Sequence, residues 1–128
     1  MPSFLQPLLR HPERQWALVD ADTGVQVVGR LRAAVDSSSR RKGLLGRSGL
    51  DDEALVIAPC NAVHTFFMQF ALDILFVDRQ GCIRRAVENV KPWRITGAFR
   101  AFATIECAAG TLATTATRRG HHLILREG

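Results

Sequence analysis

No tyrosine occurs in the 128 residues, only two lysines accompany fifteen arginines, and the three cysteines never form a CxxC pair. Each shortage excludes something. The seven Phe and two Trp are not interleaved with basic residues, so the stacking platform of an RNA-recognition sheet is missing. Cys60, Cys82 and Cys107 are odd in number and widely spaced. That argues against a disulfide framework or a structural zinc site and for a reducing compartment. The opening segment MPSFLQPLLRHPERQ has no continuous apolar run of the kind a signal peptide needs, so the expected location is the cytoplasm. Also absent are GxGxxG after a strand, a P-loop, HExxH and a GxSxG elbow. No paired acids stand at a spacing that implies acid–base work, and Asp51-Asp52-Glu53 reads as a solvated loop. No cofactor and no metal are expected.

What is present reads as a soluble globule. Hydrophobic residues make up 47% and charged residues 23%, enough for one domain with a real core. The expected division is an N-terminal arm over residues 1–14 and a single β-rich domain over 15–128. The net charge is 17 − 12 = +5. An arginine excess suits phosphate binding, but genome composition explains it as well, and that blander reading is preferred. The 19 residues from Ala54 to Leu72 carry no formal charge and approach membrane-spanning length. Pro59, Asn61, His64 and Gln69 oppose a single spanning helix, so two core strands with a connection fit better.

The chain is organised around His64 to Gly81, HTFFMQFALDILFVDRQG. Ile74-Leu75-Phe76-Val77 is β-branched and aromatic, and DRQG closes it as a turn, which predicts a strand. Both of its faces are apolar, so it should be covered on both sides. Asp73 then stands at the mouth of a buried strand, where a carboxylate must be hydrogen-bonded or paired. Cys82–Val87 returns as the second arm of a hairpin.

Elsewhere, Pro2, Pro7 and Pro12 disfavour a continuous helix in the arm, which Phe4, Leu5, Leu8 and Leu9 would clamp. Gln15–Asp20 and Val25–Val28 flank ADTG, a hairpin signal. Leu31–Val35 continues as a strand. Asp36-Ser37-Ser38 offers N-caps for a short helix ending near Gly46, with Arg40, Arg41 and Lys42 facing solvent or an anion. Ala54–Ala58 is a strand broken by Pro59. Cys60 and His64 would share one face of a helix, but Val63, Thr65, Phe66 and Phe67 favour a strand, where the two stand about 13 Å apart, too far for one metal ion. Met68 reads first as core packing, though a thioether also lines adaptable pockets. In KPWR, Pro92 breaks the strand while Trp93 and Arg94 form an amphipathic corner. Phe99–Cys107 reads as a strand with Glu106 near its end, Thr111–Arg118 as a short helix ending at Gly120, and Leu123–Arg126 as the last strand. His121 and His122, adjacent on a strand, would point to opposite faces and make a poor metal clamp.

HTFFMQFALDILFVDRQGCIRR, together with RRKGLLGRSGL, PWR and IECAAG in that order, resembles domain-of-unknown-function family 192 over roughly residues 28 to 126. The resemblance implies a mainly β (α+β) fold, a compact jelly-roll-like sandwich or barrel with one or two short helices. It supplies no reaction. Some relatives are encoded near pilus or secretion machinery, which hints at an accessory partner. Many relatives have an acid where this chain has His121, a departure that tells against a family-wide metal or acid role at that position.

Three functions compete. The first is a small non-catalytic binding or accessory module for a small anion or a protein partner, with Asp73, His64, Arg40, Met68, Trp93, Arg94 and Glu106 as pocket candidates. The second is an enzyme built around Asp73, His64 and Cys60, which requires the three to converge on one cavity. The third is weak, salt-sensitive nucleic-acid binding through the basic surface. The first is preferred, with a lone His or Met more often structural than functional.

Overall fold

A computed structural model describes residues 3–34, 52–66 and 68–128. Its strands are β1 (Trp16–Asp20), β2 (Gln26–Val28), β3 (Arg30–Ala33), β4 (Glu53–Ile57), β5 (Ala62–His64), β6 (Leu72–Val77), β7 (Ile83–Val90), β8 (Ile95–Gly97), β9 (Ala103–Ala108) and β10 (Leu123–Glu127). Two short helices accompany them, α1 (Gln6–Arg10) and α2 (Thr111–Thr115). A five-stranded sheet in the order β3-β4-β9-β6-β7 lies beside a three-stranded sheet β10-β1-β2 and a two-stranded sheet β5-β8. The protein is thus mainly β with short helices, and its sheets do not close on themselves. No helix among the described residues is long and apolar enough to cross a membrane.

The strand without a polar face lies inside the sheet. All of β6 is buried, with β9 on one side and β7 on the other. Its side chains alternate between two apolar clusters. Leu75 and Val77 join Ile105, Cys107, Ala54 and Val56 on one face. Leu72, Ile74 and Phe76 join Ile57, Val63, Met68 and Val90 on the other. The five-stranded sheet is therefore a middle layer between two cores, which is why ILFV carries no polar alternation.

The two hairpins form where turn chemistry demands them. Between β1 and β2, the Asp20 carboxylate accepts the backbone N–H of Asp22 (3.0 Å) and Thr23 (3.3 Å), and Gly24 takes φ 75°. Between β6 and β7, Gly81 has φ 88°, and a Cβ there would strike the Leu123 carbonyl of β10. The backbone beside it is shared, since Leu123 donates its N–H to the Gly81 carbonyl (2.8 Å).

Three elements differ from the sequence reading. The arm contains a helix, because Pro7 lies in its first turn, where a missing N–H costs nothing. Leu5 and Leu8 are buried in the main core, whereas Leu9 is exposed. Strand β9 begins at Ala103 rather than at Phe99. Arg100 has φ 69° and Phe99 projects into solvent, so the aromatic is in a turn. Helix α2 stops at Thr115, because Ala116 turns left-handed (φ 57°) well before Gly120. Three β-branched threonines in five residues are weak helix formers. The expected helix near Gly46, and Arg40 with it, lies outside the described residues.

Candidate functional site

Asp73 is fully buried, and its carboxylate is occupied. Oδ1 accepts the backbone N–H of Asn89 (2.8 Å), while Oδ2 accepts those of Gly110 (3.1 Å) and Leu112 (3.0 Å). The first contact depends on a bulge. Leu72 faces Val90 and Ile74 faces Val87, so Glu88 and Asn89 together oppose the single residue Asp73. The extra residue leaves the ladder, Asn89 adopts φ 53°, and its amide turns onto the carboxylate. The other two donors open α2, whose initial N–H groups have no intrahelical acceptor. Asp73 thus ties β6 to β7 and to the β9–α2 turn. Gly110 and Thr111 line a cavity of about 320 Å³ with Val27, Val28 and Glu53, and the Asp73 carboxylate holds the Gly110 amide of that wall.

The other buried candidates divide across the sheet. Asp73 pairs with Cys107 and Ile74 with Glu106, so the two carboxylates leave opposite faces of the sheet and do not share a pocket. Glu106 is buried, and Met68 belongs to the second core beside Leu72 and Phe76. The Cys107 thiol donates to the Asp73 carbonyl (3.6 Å). Burial pushes its pKa up to about 12, helped by the charges of Asp73 and Glu106 and opposed by Thr111. A thiol in that state is inert at neutral pH. Titration of the folded protein with a water-soluble disulfide reagent is expected to label Cys60 and Cys82, both half-buried, and to spare Cys107 until denaturant is added. Mass spectrometry showing rapid Cys107 labelling in the folded state would contradict this.

Cys60 packs against the second core, whereas Asp73 leaves the sheet on the face of the first. The Cys60 thiol bonds to the Ala62 carbonyl (3.2 Å), and His64 Nδ1 accepts the Phe66 N–H (3.3 Å). The carboxylate of Asp73 is spent on the three amides already named.

What does converge is an aromatic ledge. His64 packs at a tilt against Phe66 with ring centroids 4.7 Å apart, and Phe66 stacks on Trp93 at 5.5 Å. Trp93 is 56% exposed, and Ile95 next to it 73%. Trp93 holds φ 68°, a left-handed conformation uncommon for a bulky residue. A buried residue that the sequence reading overlooked sets this corner. Thr65 donates its hydroxyl to the Lys91 carbonyl (2.7 Å) and accepts the Arg94 N–H (2.9 Å) with the same oxygen. Its backbone N–H bonds to the Arg94 carbonyl (2.8 Å), and its carbonyl takes the Trp93 N–H (3.0 Å). The Arg94 backbone is thereby held next to Trp93, and its exposed side chain turns Nη1 toward the Pro92 and Trp93 carbonyls (3.5 and 3.4 Å). Replacing Thr65 by valine keeps the shape but strands the Arg94 amide, a loss of roughly 1–3 kcal/mol in stability by denaturant unfolding. Unchanged stability would show that the KPWR corner is held some other way. A threonine amid apolar residues gives no sequence signal for such a role.

His121 and His122 each meet a separate acid of the first hairpin. His121 Nδ1 meets the buried carboxylate of Asp20 at 2.7 Å, while His122 donates its backbone N–H to Asp22 (2.6 Å). Among the described residues no group of three or more His, Cys, Asp or Glu gathers to hold a metal.

An open-sheet, mainly β domain with a sealed acid and an exposed aromatic ledge is the class that fold and site define. Residues 18–125 match the DUF192 family model, described as "Uncharacterized ACR", and the chain belongs to that family. Two crystal structures share the fold. One is a candidate transcription regulator from Sinorhizobium meliloti 1021, 24% identical, with 88% of this chain and 92% of that chain covered at a TM-score of 0.72. The other is a protein of unknown function from Novosphingobium aromaticivorans DSM 12444, 22% identical, with 85% and 82% covered at a TM-score of 0.70. No curated protein matches the chain.

Proposed function

We propose that this chain is a small non-catalytic binding module. It takes an anionic group, carried by a small molecule or by an accessory protein partner, onto the ledge of His64, Phe66 and Trp93 beside Arg94. The observation that carries this reading is a row of three contacting rings, with His64 and Trp93 exposed, whose KPWR side is fixed by the buried Thr65. Exposed tryptophan and arginine are the residues that most often dominate binding energy. A guanidinium next to aromatic faces recognises carboxylate or phosphate attached to an apolar body. The enzyme reading has less support, because the acid it needs is consumed by backbone amides.

Trp93 is its own reporter, since Trp16, the second tryptophan, is buried. A panel of inorganic phosphate, citrate and acidic peptides containing one aromatic residue would be followed by tryptophan emission and by thermal shift. At least one member should give a saturable response. Arg94→Ala is expected to weaken it about tenfold and Trp93→Ala to abolish the emission change. A blank panel, or binding untouched by both substitutions, would overturn the proposal.

A further inference from the structure

A second concave surface lies on a different set of residues. Arg84, Arg85 and Arg119 line a cleft of about 560 Å³ together with Ala86, Gly97, Ala98 and Phe99, and among the described residues no carboxylate lines it. Adjacent residues of a regular strand point to opposite faces, so Arg84 and Arg85 should not share a cleft. They do so because β7 is bulged. Phe76 faces Arg85 and Val77 faces Ile83, which leaves Arg84 as the extra residue of an edge strand. A bulge re-aims side chains in this way. Two further bonds bring the other walls in. Arg85 Nη1 donates to the Gly97 carbonyl (2.6 Å), seating the end of β8 against β7. The Gly120 N–H donates to the Ile83 carbonyl (2.9 Å), which sets Arg119 over the same strand.

The three guanidiniums are differently engaged. Arg84 is steadied by Asp78 at 3.1 Å, and Asp78 is itself tied to the turn by the N–H groups of Gln80 and Cys82. Arg85 spends one nitrogen on Gly97. Arg119 makes no hydrogen bond or ion pair among the described residues. Phe99 stands at the rim, 85% exposed, with the Arg100 guanidinium 5.5 Å from its ring centroid on one side.

We infer that this cleft binds a nucleoside phosphate: Arg85 and Arg119 take the phosphate oxygens while Phe99 stacks on the planar base. Three features of the cleft favour this ligand. Guanidiniums are the donors whose fork matches phosphate geometry. An exposed aromatic ring offers a sequence-tolerant stacking face. The cleft volume lies within the range of small-ligand sites. The same chemistry is presented by a free nucleotide and by the end of a single strand, and the experiment separates these sources. The site is independent of the aromatic ledge and does not rest on it.

The full-length chain would be titrated by calorimetry, at physiological ionic strength, with ATP, with AMP and with a short single-stranded oligonucleotide. Saturable binding is expected for at least one, weakened about tenfold or more by Arg119→Ala and by Arg85→Ala. Phe99→Ala should weaken it while leaving the melting temperature unchanged. Arg10→Ala, which removes the same charge from α1, should leave affinity unchanged. Binding of ATP and AMP identifies a free nucleotide as the ligand; binding of the oligonucleotide alone identifies a strand. Absence of binding by all three probes would overturn the inference, as would affinity indifferent to Arg119 and Phe99 or lost equally in Arg10→Ala.

Discussion

Replacing Asp73 by asparagine is expected to lower the unfolding free energy by about 3 kcal/mol and alanine by somewhat more, both measured by chemical denaturation. The carboxylate accepts from Asn89, Gly110 and Leu112 in a site closed to water. Asparagine keeps one acceptor and turns an N–H2 donor toward amides that need an oxygen. Alanine leaves all three donors without a partner. A loss of this size is a large fraction of the roughly 5–15 kcal/mol that holds a domain of ordinary stability together. The alternative outcome has a different signature. A variant of unchanged stability that has lost ligand binding or turnover would move Asp73 from the fold into the site.

The second large effect is expected at Asp20, where alanine should cost about 2 kcal/mol or more. Its fully buried carboxylate accepts two turn amides and meets His121 Nδ1 at 2.7 Å. This joins the first hairpin to the entry of β10, its pairing partner in the three-stranded sheet. A double-mutant cycle with His121→Ala should return a coupling of about 1 kcal/mol or more, whereas additive losses would show that the two groups do not interact. The neighbouring clasp adds a pH dependence. The His122 backbone N–H holds the Asp22 carboxyl below its usual value of 3.8, with smaller contributions from the His122 and His121 side chains. A depressed folded-state pKa gives stability that is fully present above 3.8 and lost as pH falls through the lower folded value. Asp22→Asn should therefore flatten the acid limb of the stability profile below that pH. An unaltered acid limb would contradict the assignment.

The parts of this fold that were legible in the sequence are those written in side-chain pattern. Ile74–Val77 has no polar alternation, and it proved to be an interior strand between two cores. ADTG and DRQG became turns for the reasons their residues carry. That Asp73 needed partners followed from the cost of burying a charge. Their identity did not follow, because backbone amides 16 to 39 residues away carry no residue-type signal. The same blindness hid both bulges in β7, and with them the co-facing arginines, since a register shift is a property of paired strands. Phe99 was assigned to a strand on propensity, yet it is exposed in a turn. The three prolines rule against a continuous helix in the arm, yet Pro7 sits in the first turn of a short one. Of the candidate residues, His64, Trp93 and Arg94 came together through Thr65 and Phe66, whereas Glu106 and Met68 lie on the face of the sheet away from Asp73.

The buried Asp73 carboxylate is divided from the open surface and bound to three backbone amides. Amide hydrogen exchange by NMR reads that division directly. The N–H groups of Asn89, Gly110 and Leu112 should be strongly protected in the native protein. All three should lose protection together in Asp73→Asn, at temperatures where β6 and β9 amides remain protected. Fast exchange of these three amides in the native protein, or protection that survives the substitution, would contradict it.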